Sequence, residues 1–139
     1  MSERMQPYGP MAVRLVLGTV GLVHGLADTF GLFDGPGITL FIDRIAALTS
    51  AAPTLVAWAV ALGQLIGGIL LLLGAQTRLV ALLALLIAGG ELWLSGRYTA
   101  FFVENRGCEY LLCLCAMAIL LMCTGPGKWA LQVKVKDGK

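Results

Sequence analysis

Charge is what this sequence has least of. Only 13% of its 139 residues are charged, against 58% apolar, and the mean hydropathy is +0.86. Soluble globular chains are nearer a quarter charged, so a soluble fold is not expected. The net charge of +2 comes without a basic stripe interleaved with aromatics, and no nucleic-acid partner is expected. Histidine occurs once, at His24, which excludes a bis-histidine haem within one chain; a haem is not expected. The four cysteines, Cys108, Cys113, Cys115 and Cys123, fall in one late apolar run with neither C-x-x-C nor Cys/His ligand spacing. No metal site or reactive dithiol is expected from them, and they read as small buried hydrophobes. No Ser/His/Asp constellation, phosphate loop or paired-carboxylate arrangement is readable, so no catalytic residue is assigned.

What the chain has instead is long uncharged runs. Ile45 to Thr77 contains 33 consecutive residues without a charge. Within it Thr54 to Gly74 gives 21 residues, matching the roughly 20 needed to cross a hydrocarbon core about 30 Å thick. Ala59, Gly63 and Gly67 recur every fourth residue there, offering a small-residue face on which a second backbone can approach closely. Gln64, near mid-span, calls for a partner inside a bundle. Residues 11–30 form another span, with Arg14 near its start and Gly18, Gly21 and Gly25 as packing positions. A cleaved signal peptide is the competing reading, but the run is long, Gly-studded and continues into polar groups. Spans are further expected at 79–95 and 107–124.

The Asp-Gly-Pro-Gly core at 34–37 reads as a turn. Residues 38–50, apolar at helical spacing around Asp43 and Arg44, are too short and too charged to span and read as an interfacial or re-entrant helix. Tyr98, Phe101 and Phe102 fit headgroup-level anchors. The predicted fold is therefore an all-α integral membrane protein: one domain over 1–139, an antiparallel bundle of four transmembrane helices, with a tail at 125–139. Four spans place Arg4, Arg14, Arg78, Lys128, Lys134, Lys136 and Lys139 on one side, and Arg44, Arg97 and Arg106 on the other. By the positive-inside rule both termini face the cytoplasm.

With that topology the embedded polar groups sort by depth. His24, Asp28, Glu91, Glu109 and Tyr110 share the outer half of the bilayer, and Gln64 lies near the midplane. Ionisable groups there are costly and face the bundle interior or a water-filled cavity. His24 and Asp28 are four apart, on one helix face and within hydrogen-bonding reach. Two readings stand: these groups satisfy one another and tie helix ends together, or they line a polar pocket able to take a quinone. No cofactor is required by the sequence.

The order HGLADTFGLFDGPG, GQLIGGILLLLGAQTR, GCEYLLCLC and GPGKWAL resembles the DoxX family of four-helix bacterial membrane proteins, from about Val13 to Leu131. His24-Gly25, Gly67-Gly68, Thr77-Arg78, Glu109-Tyr110 and Gly125-Pro126-Gly127 match the family pattern. That pattern often carries lysine in place of Asp28 and glutamate in place of Gln64, and Ser-Leu-Asp where this chain has Ala130-Leu131-Gln132. The resemblance implies the same four-helix bundle, in a bacterial inner membrane. It also implies association with thiosulfate:quinone oxidoreductase or with membrane redox and oxidative-stress complexes. The expectation is an accessory, quinone-linked membrane subunit rather than a catalyst, partnered by lipid and by other membrane subunits. The alternatives are a structural or assembly subunit and, less favoured, a small homodimeric transporter, for which no inverted repeat or broken helix is seen.

Overall fold

The computed structural model describes residues 8–102 and 107–131. Within them the chain is all-helical: α1 Tyr8–Phe30, α2 Gly37–Leu48, α3 Pro53–Leu73, α4 Thr77–Leu94, a single 3₁₀ turn Arg97–Thr99, and α5 Glu109–Thr124. α1 starts at Tyr8, three residues before the expected span at 11–30, with Pro10 in its first turn, where a missing N–H costs nothing. Arg4, Arg106 and the basic residues 134–139 lie outside the described residues.

Among the described residues, three helices are long and apolar enough to cross a membrane: α1, α3 and α4. The chain is a membrane protein, and its apolar outer surface lies against lipid. α5 is shorter than the expected 107–124 span. Its 16 residues reach about 24 Å at 1.5 Å per residue. The physical cause is local. The N–H groups of Gly107, Cys108 and Glu109 donate to the carbonyls of Phe102, Ala100 and Phe101 at 2.8, 3.1 and 3.0 Å, so the chain folds back on itself before the helix starts. At the other end, Gly125 stops it. Length alone therefore supports three spans.

α1 and α3 run in opposite directions in close contact, because α1 meets α3 through glycine. Gly18 lies against Leu71 and Leu72, Gly21 against Gln64 and Gly68, and Gly25 against the backbone of Leu65. A methyl group at Gly25 or Gly68 would run into the opposing backbone. Where lipid is as apolar as leucine, such close van der Waals packing is what holds helices together. Ala57, Ala61, Gly67, Gly68 and Leu71 form the buried strip of α3. Ala59 lies outside that strip and is exposed.

α3 ends in a Schellman motif. The Gly74 N–H donates to the Leu71 carbonyl at 3.0 Å and the Ala75 N–H to the Leu70 carbonyl at 2.9 Å, with Gly74 left-handed at φ 75°. The chain then turns into α4, which packs along α5. Near this turn Leu17, Leu71, Val80, Ala81, Ala118 and Leu121 form the buried apolar cluster. The segment after α5 closes over it. Leu131 N–H donates to the Leu73 carbonyl at 3.1 Å, and Arg14, only 2% exposed, donates from Nη2 to the Trp129 carbonyl at 3.1 Å. Arg14 is thus a tether between α1 and this segment.

At the opposite end, the connection from α1 to α2 turns through Phe33 and Asp34, both left-handed, as the Asp-Gly-Pro-Gly core predicts. α2 has no buried residue, and its Asp43 and Arg44 are exposed. It covers the ends of α1 and α3. Trp93, Tyr98, Phe101 and Phe102 are all well exposed at this end.

Candidate functional site

α1, α3, α4 and α5 line a partly open cavity of about 80 Å³. It exists because the glycine contacts draw α1 onto α3 while small residues, among them Gly63, Gly67, Ala84 and Ala88, leave space where larger side chains would fill the interior. Its wall is sorted by depth. Toward the α3–α4 turn it is apolar, with Leu17, Leu71, Val80 and Leu83. Toward the opposite end it carries four polar side chains, His24, Gln64, Glu91 and Tyr110, one from each of the four helices. These groups lie 86 residues apart at the extreme, and only the folded bundle brings them together.

His24 Nε2 and Tyr110 Oη share a hydrogen bond of 3.2 Å across α1 and α5, with ring centroids 6.3 Å apart and planes inclined by 39°. The tautomer sets its direction: with Nε2 unprotonated the phenol donates, and with Nε2 protonated the phenol oxygen accepts and its own proton is released for another partner. Gln64 presents the opposite case. Its Oε1 is buried and has no hydrogen-bond partner among the described residues. An acceptor left unpaired away from water costs about 1–3 kcal/mol. Lipid supplies no water to relieve it. Glu91 adds a carboxylate to the wall. It is one turn from the end of α4, where the Ser95 hydroxyl donates back to its carbonyl.

Of the six polar residues expected to share a pocket, the structure brings these four to one cavity. Asp28 and Glu109 are not on its wall. Asp28, one turn beyond His24, is buried at 7% exposure and within electrostatic reach of His24, Arg44 and Glu91. The hydrogen bond expected between His24 and Asp28 is formed by His24 with Tyr110 instead. Spacing on one helix identified the nearer candidate and could not see the one supplied by α5. Gly18 and Gly25 are buried in the α1–α3 contact, whereas Gly63 and Gly67 line the cavity as well as α3. Three further side chains carry buried polar atoms that the sequence did not mark as such, among them the Thr29 hydroxyl near the end of α1. The Arg14 Nε and Nη1 atoms and the Thr77 hydroxyl, near the α3–α4 turn, lack partners among the described residues. Cys108, Cys113, Cys115 and Cys123 are free thiols, and no group of metal-ligating side chains is found among the described residues.

Comparison with known proteins agrees with the resemblance drawn from the motifs. The DoxX family model matches residues 9–96. A relative from Bacillus subtilis (strain 168), named "Putative oxidoreductase CatD", is 31% identical over 131 residues, covering 94% of this chain and 90% of the relative. No solved structure matches. The family match spans the parts of the chain that supply His24, Gln64 and Glu91, and the relative aligns over nearly all of the rest: the chain belongs to the DoxX family.

Proposed function

We propose that this protein is an accessory membrane subunit of a redox complex, and that its interior cavity binds a quinone-class ring. The observation that carries the reading is Gln64, its buried Oε1 without a partner among the described residues, on the wall of a cavity that also carries Glu91 and the hydrogen-bonded His24–Tyr110 pair. A quinone ring carries oxygen at both ends. One can accept a hydrogen bond from His24 or Tyr110; the other, once reduced, can donate to Gln64 Oε1. A site holding both an acceptor and a donor–acceptor pair in low dielectric discriminates strongly, because the wrong ring leaves buried groups unpaired. The relative's printed name, an oxidoreductase, supports a redox setting. The residues identified bind and orient; electron transfer is assigned to partner subunits.

In this reading the whole chain is one membrane domain. α5 completes an antiparallel four-span bundle in the bacterial cytoplasmic membrane, reaching the interfaces through the aromatic residues before it and the Gly125–Leu131 segment after it. Both termini are cytoplasmic, in keeping with the bias of Lys and Arg. The alternative of an assembly subunit is favoured by Gly89 and Gly90 of α4, around which nothing lies within 4 Å of an added Cβ. Binding decides between them. A short-chain quinone bound by the purified protein, and weakened by His24→Ala and by Tyr110→Phe, supports the redox site. No binding leaves assembly as the better account.

A further inference from the structure

Away from the cavity, positive side chains gather at the end where α3 turns into α4. Arg14 is only 2% exposed, and its Nε and Nη1 atoms have no partner among the described residues. Its Nη2 donates to the Trp129 carbonyl at 3.1 Å and reaches the Lys128 carbonyl at 3.5 Å. The Arg78 guanidinium lies beside Gly125, where an added Cβ would stand 3.7 Å from its Nε. Lys128 Nζ donates to the Tyr8 hydroxyl at 2.9 Å and sits over that ring. Arg78, Lys128 and Trp129 are exposed. Among the described residues no carboxylate shares this end: Asp28, Asp34, Asp43, Glu91 and Glu109 all stand toward the opposite one. A buried guanidinium with unsatisfied nitrogens and no carboxylate at hand is costly, and calls for negative charge nearby.

We infer that the outer face of the segment from Gly125 to Ala130 is a phosphate-class anion site, and that its occupant is the headgroup of an anionic phospholipid. The peptide groups of the segment connect the buried charge to the surface. A planar trans peptide points its N–H opposite to its C=O. With the Lys128 and Trp129 carbonyls turned to Arg14, the N–H groups of Trp129 and Ala130 point away from it. No backbone carbonyl among the described residues accepts from either. Hydrogen bonds in a chain polarise one another, so the guanidinium strengthens these two donors. Arg78 and Lys128 add exposed charge, and the first turn of α4, which no side chain caps, adds the positive end of its dipole. Such an array suits the several oxygens of one phosphate. The source follows from the surroundings. The α3–α4 turn joins two membrane-crossing helices, and Trp129 and Leu131 beside the cations are 80% and 61% exposed, an amphipathic edge at headgroup level. The site lies toward the far end of α1 from His24 and does not depend on the quinone reading.

The test is native mass spectrometry of delipidated protein in detergent, titrated with phosphatidylglycerol and separately with phosphatidylcholine. Wild type is expected to retain one phosphatidylglycerol per chain, more tightly than phosphatidylcholine. The double variant Arg78→Gln with Lys128→Gln changes two exposed side chains and keeps the fold. Its affinity for phosphatidylglycerol is expected to fall about tenfold or more, the scale of two lost interfacial cations. Arg14→Met, which removes the buried charge, weakens the same binding. Arg44→Gln, an exposed cation toward the opposite end, leaves it unchanged. Inorganic phosphate is the second probe, read by the thermal midpoint. A rise with the lipid and none with phosphate fixes the occupant as a headgroup. An equal rise with phosphate, lost in the double variant, overturns the lipid occupant and leaves the anion site. Equal affinity for the two lipids, or phosphatidylglycerol binding indifferent to the double substitution, overturns the site itself.

Discussion

At the scale of single residues, the Gln64 carbonyl oxygen is one of the buried polar atoms without a partner among the described residues. An amide acceptor buried without a partner opposes folding, by about 1–3 kcal/mol. Gln64→Met, close in volume and without the polar terminus, is therefore expected to raise the thermal midpoint in detergent while weakening quinone binding. A variant that loses stability instead would show that Gln64 is paired within the protein. Gly25 makes the complementary case. Any side chain there meets the Leu65 backbone, so Gly25→Ala should cost about 1–3 kcal/mol of overpacking. Gly89→Ala, with open space around it, should stay within about 0.5 kcal/mol. Equal midpoints for the two variants would remove the close α1–α3 contact from the account. These positions were unequally legible in the sequence. Gly25 stood out as one of three small residues at helical spacing; the orphaned state of Gln64 required knowing what surrounds it.

At the scale of elements, helix existence and type follow from the uncharged runs, and the ends follow from Gly and Pro. Pro53 opens α3 and Gly74 closes it. Gly74→Ala faces two penalties: a left-handed backbone, φ 75°, and collision with the Arg14 guanidinium and Ala130. A left-handed position alone disfavours alanine by about 1 kcal/mol or more. The variant should loosen the 125–131 segment and speed limited proteolysis there; unchanged cleavage would mean that the Arg14 tether alone holds it. What the sequence could not give at this scale is the length of α5. Hydropathy continues through Gly107 and Cys108, but their N–H groups are taken by the carbonyls of residues 100–102. Nor could a four-residue spacing show the facing of α3. Ala59, Gly63 and Gly67 align on paper, but the buried strip runs through Ala57 and Ala61.

At the scale of the whole molecule, two closely packed pairs, α1 with α3 and α4 with α5, leave between them a cavity with a polar end. Depth sorting of polar groups was readable from topology, and so four of the six expected pocket residues meet on one wall. The partner of His24 was not, since it depends on how α5 rotates against α1. The proposed orientation is testable independently of any ligand. A fluorescent protein fused after Lys139 should fold and fluoresce in a bacterial host, as a cytoplasmic C-terminus requires; a dark fusion, with an active phosphatase fusion at the same point, would reverse the topology. The most direct measurement is equilibrium binding of a short-chain benzoquinone to purified wild type, Tyr110→Phe and His24→Ala. The account predicts saturable binding to wild type, weakened about tenfold or more in each variant, the scale of a lost buried hydrogen bond. Binding that is absent, or indifferent to both substitutions, would contradict it.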